Sequence, residues 1–176
     1  MNKHQHALMY SMGAVIVVIT FSLSIYLAGI TNTAWNYVSY LFCIGVLVVA
    51  ILNWRDKVNG GTLSFGKTLG YSTWFALYYS IAMAIWTFIF MSYIAPGFME
   101  SMMLKQQAAM EAKGMPPAQV EMAMKYARMF SKPPIIVAFG LVGNMFFLTI
   151  INLVVAAVMK KDPETNSFDE SNPSAI

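Results

Sequence analysis

Four long apolar runs constrain this chain more than anything else in it. They cover residues 8–27, 35–54, 71–94 and 135–158, and none contains Asp, Glu, Lys, Arg or His. A helix rises about 1.5 Å per residue, so roughly 20 residues cross the ~30 Å hydrocarbon core of a bilayer. One charged residue at mid-membrane would cost about 2.5–3.5 kcal/mol on insertion scales. All four runs escape that cost, and no proline interrupts them. Trp35, Tyr37 and Trp54 stand near the ends of the second run, and Tyr71 and Tyr93 near those of the third. Such rings favour the headgroup level. Lys160 and Lys161 close the fourth.

Composition points the same way. The chain is 58% hydrophobic and 11% charged, whereas a soluble domain carries about 25% charged residues. It cannot cover a water-facing surface, but it can face lipid. The expected fold is an all-α membrane protein with four transmembrane helices and an extramembrane helical hairpin between helices 3 and 4. Residues 1–161 form the transmembrane domain, with the hairpin at 97–132. Residues 162–176 carry four acids, no base and two prolines, which predicts a solvated, disordered tail.

The first run resembles a signal peptide in having Lys3 before it and Ala28-Gly29 after it. Its apolar stretch is longer than the usual h-region of about 7–15 residues, so a retained helix is expected. Leu27-Ala28-Gly29 resembles the start of a lipobox, but Ile30 stands where the lipid-bearing cysteine belongs.

Lys and Arg set orientation. Lys3, Arg55, Lys57, Lys67, Lys160 and Lys161 fall on one side, and Lys105, Lys113, Lys125, Arg128 and Lys132 on the other. The charge-free loop 28–34 tips the balance toward cytoplasmic termini and an extracytoplasmic hairpin. The net charge is only +3 and the bases form no single patch, so nucleic acid is not an expected partner. The lone cysteine, Cys43, excludes an intramolecular disulfide and a Cys-based zinc site, and reads as a small buried hydrophobe.

The hairpin reads as two helices around the breaker Gly114-Met115-Pro116-Pro117. Glu100 and Glu121 lie early in their helices, and Lys113, Arg128 and Lys132 late, which complements the helix dipoles. Glu121 and Lys125 are spaced as an i,i+4 pair. Eight of the 15 methionines lie here. Thioethers select Cu(I), but no His or Cys accompanies them, and Met99, Met103 and Met110 run along one helical stripe rather than toward one point. The expectation is an apolar face for packing or partner docking, with Met99, Met103, Met110 and Met122 as the candidate docking residues. No cofactor is expected.

Gly61-Thr62-Leu63-Ser64-Phe65-Gly66-Lys67-Thr68 matches the Walker A pattern in full. A phosphate-binding loop needs a buried strand before it and a soluble helix after it. Here a membrane span lies on each side, so nucleotide is not an expected partner. Thr62 or Ser64 is expected to cap the third helix, with Gly66 and Gly70 permitting close packing.

Gly140, Gly143, Asn144 and Asn152 in the fourth run are candidate helix-packing residues, because small residues permit close approach and amides can bond across helices. Asn144 and Asn152 are also candidates to line a pore. His4 and His6 are expected to be solvated on a terminal tail. No run holds the ionisable residue that ion-coupled transporters usually keep in the membrane. Neither a nucleophile–base pair nor an H-E-x-x-H metal site can be built from histidines at 4 and 6 alone. The chain is therefore not expected to be an enzyme.

The layout resembles a domain of unknown function found in small four-span bacterial inner-membrane proteins. The features that carry the likeness are Gly61 to Phe65 before the third span, Ile94-Ala95-Pro96 leaving it with Glu100 soon after, and Met110 to Met115. They continue with Ala118 to Glu121, Ala123-Met124, and Ile150 to Leu153 leading to Lys160-Lys161. The resemblance covers about residues 8–161 and implies a fold and an inner-membrane location, but no activity. Two roles follow from the residues. The leading one is a non-enzymatic protein acting through protein–protein contacts or envelope organisation, with the bilayer, a second copy or another membrane protein as partner. The alternative is a subunit of a small-solute channel or transporter, which a polar stripe through the spans would favour. Ser22, Ser24, Thr20, Asn144 and Asn152 are the polar residues available for one.

Overall fold

A computed structural model describes residues 2–30 and 34–160. Six helices make up the described residues: α1 (Lys3–Leu27), α2 (Ala34–Val58), α3 (Phe65–Ile89), α4 (Phe98–Ala112), α5 (Pro117–Phe130) and α6 (Pro133–Met159). A π-helical segment, Phe90–Ile94, continues α3. Four stretches are long and apolar enough to cross a membrane: Lys3–Leu27, Tyr37–Val58, Phe65–Ile94 and Pro133–Met159. These are the four expected spans, each extended at one end or both. The acidic tail expected at 162–176 lies outside the described residues.

The extension at the N-terminus is set by a helix cap. Asn2 caps α1 by accepting from the backbone N–H groups of His4 and Gln5, while the Gln5 side chain accepts from the Asn2 N–H. This capping box starts the helix five residues before the apolar run. Glycines in left-handed conformation end α1 and α4: Gly29 (φ 67°) and Gly114 (φ 73°). The Ile30 N–H bonds back to the Ile25 carbonyl and that of Met115 to Met110, so each helix end closes on itself. Pro117 then opens α5 and Pro133 opens α6, positions where a missing N–H costs nothing.

Packing runs in the order α2–α1–α3–α6, with α3 against both α1 and α6, and α2 only lightly touching α6. Lipid is as apolar as a leucine side chain, so close approach of small residues does much of the holding. Ala7, Ser11 and Ala14 form such a stripe on α1, and Thr68, Ser72, Ala76 and Ser80 another on α3; all are buried. Asn152 donates to the Ser72 carbonyl at 3.1 Å, tying α6 to α3. The outward sides of the spans are apolar and exposed, as at Ile16, Leu41, Ile85 and Phe146.

The core is confined to the end of the bundle that holds the termini. Its members are Ala7, Ala14, Val15 and Val18 on α1, Cys43 to Trp54 on α2, Tyr71 to Tyr79 on α3, and Leu148 and Val155 on α6. Among the described residues, nothing is buried in α1 after Val18, in α2 before Cys43, or in α6 before Leu148.

Candidate functional site: a hollow at the hairpin end

Beyond that core, toward the hairpin, the helices leave two partly open hollows. A chamber of about 280 Å³ lies between Val18 and Ser22 of α1, Ser39 and Tyr40 of α2, Tyr79 and Met83 of α3, and Asn144 of α6. A second cavity of about 340 Å³ lies above it and also reaches Ser22 and Ser39. Its walls are aromatic: Phe21, Tyr26, Trp35, Phe90 and Phe98, with Ser101 and Lys105 of α4 at the rim. The rings brace one another edge to face, Tyr26 on Phe90 at 5.1 Å and Phe90 on Phe98 at 5.7 Å. Phe90 opens the π-helical segment, whose wider turn closes with the Ala95 N–H bonding the Phe90 carbonyl at 2.7 Å. Such segments recur at functional sites. Shared serines make the two cavities one aromatic vestibule over one polar chamber.

Asn144 is thus a cavity-lining residue, whereas Asn152 is a packing residue, buried with its amide nitrogen bonded and its carbonyl oxygen without a partner. Gly140 and Gly143 are exposed, with no heavy atom within 4 Å of where a Cβ would stand. They face away from the other helices of this chain. Gly66 and Gly70 are equally uncrowded. Ser64 does occupy the N-cap of α3 but makes no side-chain capping bond. The Walker-like segment runs through glycines in left-handed turns directly into α3, and Thr68 spends its hydroxyl on the Ser64 carbonyl.

In the hairpin, Met103 lies close enough to Ser131 for its sulfur to accept the hydroxyl at 3.2 Å, and Met99 and Met110 are half-buried along the same stripe. Val120 and Met124 are the buried residues of α5. Of the four candidate docking methionines, only Met122 is open, at 62% exposure. It begins an uncovered stripe with Tyr126, Met129 and Phe130, spaced i, i+4, i+7, i+8. Glu121 and Lys125 make no ion pair.

One expectation is overturned. His6 is not solvated but 1% exposed. Its Nδ1 lies 2.6 Å from the Tyr71 hydroxyl and its Nε2 3.2 Å from Asn53 Oδ1. A carbonyl oxygen only accepts, so Nε2 carries the proton and Nδ1 accepts from Tyr71. The ring also stacks on Tyr10 at 4.6 Å and meets Trp54 edge-on at 5.2 Å. This cluster seals the termini end of the bundle. The physical reason is the capping box: once α1 starts at Lys3, His6 points inward one turn before Tyr10. Asn2-x-x-Gln5 was the signal for it in the sequence. His4 is exposed, yet it too lies edge-on to a ring, Trp74, at 4.4 Å.

No curated protein and no solved structure matches the chain. The model of a protein family of unknown function, DUF4199, matches residues 10–161, which takes in α2 to α6 whole and α1 from Tyr10 on. The chain belongs to the DUF4199 family, whose function is unknown.

Proposed function

We propose that this is a non-enzymatic protein of the bacterial inner membrane that acts through contact with another protein of that membrane. The observation that carries the reading is the outer stripe of α5. Met122, Tyr126, Met129 and Phe130 are each half-exposed or more, and no described part of the chain covers them. Tyr, Phe and Met are enriched at the centres of protein interfaces, and Met adapts its shape to a partner. Phe130 meets Phe139, an exposed residue near the start of α6, at 6.2 Å, so the stripe continues into the outward face of a span. A partner seated there would touch the hairpin and the span together. Both termini lie in the cytoplasm and the hairpin outside in this reading, as the uncharged first loop favours.

A photo-crosslinking amino acid at Met122 tests it, with one at Lys125 as the control. Capture of a defined protein from Met122 but not Lys125 is expected; a second copy would show as a product of twice the chain mass. Lipid adducts alone from Met122 would contradict the reading. An impermeant thiol reagent tests orientation in a Cys43→Ala background: Gln107→Cys should react in intact cells, and its failure to do so would invert the topology.

The polar chamber favours a second reading, a subunit of a small-solute channel or transporter. Against it, Cys43, Leu47 and Phe75, in the core toward the termini, are fully buried. A conduit would have to open the best-packed layer of the bundle, so the contact reading leads.

A further inference from the structure

Serine and threonine in a membrane helix ordinarily satisfy the hydroxyl on the preceding turn. Ser11, Ser24, Ser72, Thr73, Thr87 and Thr149 all do so here. Ser22 and Ser39 do not, and among the described residues neither do Thr20, Ser80 and Ser92. Ser22, Ser39 and Asn144 have no hydrogen-bond partner among the described residues. All three line the chamber. Ser22, Ser39 and Asn144 are half-buried and converge on one hollow, where a polar group without a partner in the protein gains from one on a ligand.

The hollow also has the anatomy of a ligand site. Such sites run from about 300 to 1,000 Å³, with mostly apolar and aromatic walls and a few convergent polar groups. Here the vestibule supplies rings on several sides and the chamber below supplies two hydroxyls and an amide. No Asp, Glu, Lys, Arg or His lines the chamber. An ion entering it would lose its hydration with no opposite charge in return. A molecule with only apolar surface would leave the polar groups unsatisfied.

We propose that vestibule and chamber form one binding site for an uncharged, lipid-soluble molecule with a flat apolar body and a carbonyl or hydroxyl at its inner end. The flat body stacks among Phe21, Trp35 and Phe90. The polar end reaches Ser22, Ser39 and Asn144. Entry is from the hairpin end, past Ser101 and Lys105. The π-helical segment serves this site by turning Phe90 into its wall. The proposal stands independently of the contact made by α5.

Equilibrium dialysis of the full chain in lipid nanodiscs tests it, with protein-free nanodiscs subtracting partition into lipid. The probes are 2-naphthol and naphthalene, which share a flat body and differ by one hydroxyl. Saturable binding of one 2-naphthol per chain is expected, with naphthalene about tenfold weaker. Asn144→Leu, which keeps the number and branching of side-chain heavy atoms, should weaken 2-naphthol about tenfold and leave naphthalene unchanged. Ser22→Phe, placed where the two cavities meet, should abolish both. If it fails to fold, Ser39→Val carries the same test, with the expected loss confined to 2-naphthol. The proposal is overturned by the absence of a saturable component, by equal binding of the two probes, or by binding that Asn144→Leu leaves untouched.

Discussion

The two ends of this bundle are built on different rules. At the termini end, α1, α2, α3 and α6 bring small residues and rings together until Ala7, Ser11, Ala14, Cys43, Leu47, Ile51, Tyr71 and Phe75 are essentially inaccessible. His6 there is held at both ring nitrogens, by Tyr71 and Asn53. At the hairpin end the same four spans part around a vestibule and a chamber, and polar side chains there go unpaired. The contrast separates scaffold from working parts. One end fixes the helices relative to one another, and the other keeps open what a packed bundle would close.

The largest effect that could break this contrast is a large-to-small change in the core. Phe75→Ala should cost about 3–5 kcal/mol, since the lost contacts leave a cavity in a layer that cannot collapse. Phe21→Ala in the vestibule should cost about 1 kcal/mol, because one side of that ring already meets open space. Thermal unfolding in detergent would show a large drop for the first variant and a small one for the second. Equal drops would mean that both ends are packed alike.

Next in size is the histidine cluster. Tyr71→Phe removes the donor to His6 Nδ1 and strands a buried acceptor, at a cost of about 1–3 kcal/mol. Tyr26→Phe in the vestibule, whose hydroxyl makes no bond among the described residues, should be nearly silent. Comparable losses from both would remove the claim that the Tyr71–His6 bond helps hold the packed end.

Smaller still is the effect of Met99, Met103, Met110 and Met122 changed together to Leu. Volume is nearly conserved, so each should cost less than about 1.5 kcal/mol and the hairpin should hold. Changed to Gln, the three half-buried members should loosen it, detected as faster amide exchange in α4 and α5. A copper ion held by the native protein and lost from the Leu variant would show that the thioethers serve as ligands. Least of all, Lys67→Ala should shift stability within about 0.5 kcal/mol, as for an exposed residue. Saturable ATP binding that this change abolishes would revive the Walker reading.

The spans were legible because hydropathy and length are local properties, and a run without charge has few other fates. The break between α4 and α5 was legible from Gly114-Met115-Pro116-Pro117, which ends a helix whatever surrounds it. What stayed hidden depends on which neighbour a side chain meets. In a membrane protein the lipid-facing and protein-facing sides are both apolar, so the sequence alone did not tell that Gly140 and Gly143 lie exposed on this chain. Ser22 and Ser39 give no sequence signal, being ordinary residues in apolar runs that matter only because α1 and α2 bring them to one hollow. His6 looked like part of a tail because the apolar run begins two residues later. The N-cap, not the apolar run, decides where α1 starts.

Ser39 and Cys43 lie one turn apart on the same face of α2, yet the first lines the chamber and the second is fully buried. An uncharged thiol reagent, methyl methanethiosulfonate, can therefore read the boundary between the two ends directly. Applied to the native chain in nanodiscs, it should leave Cys43 unmodified by intact-mass analysis, since a buried structural thiol is inert. Applied to Ser39→Cys in a Cys43→Ala background, it should add one thiomethyl group per chain. Modification of both positions at similar rates, or of neither, would contradict a hollow end set against a packed one.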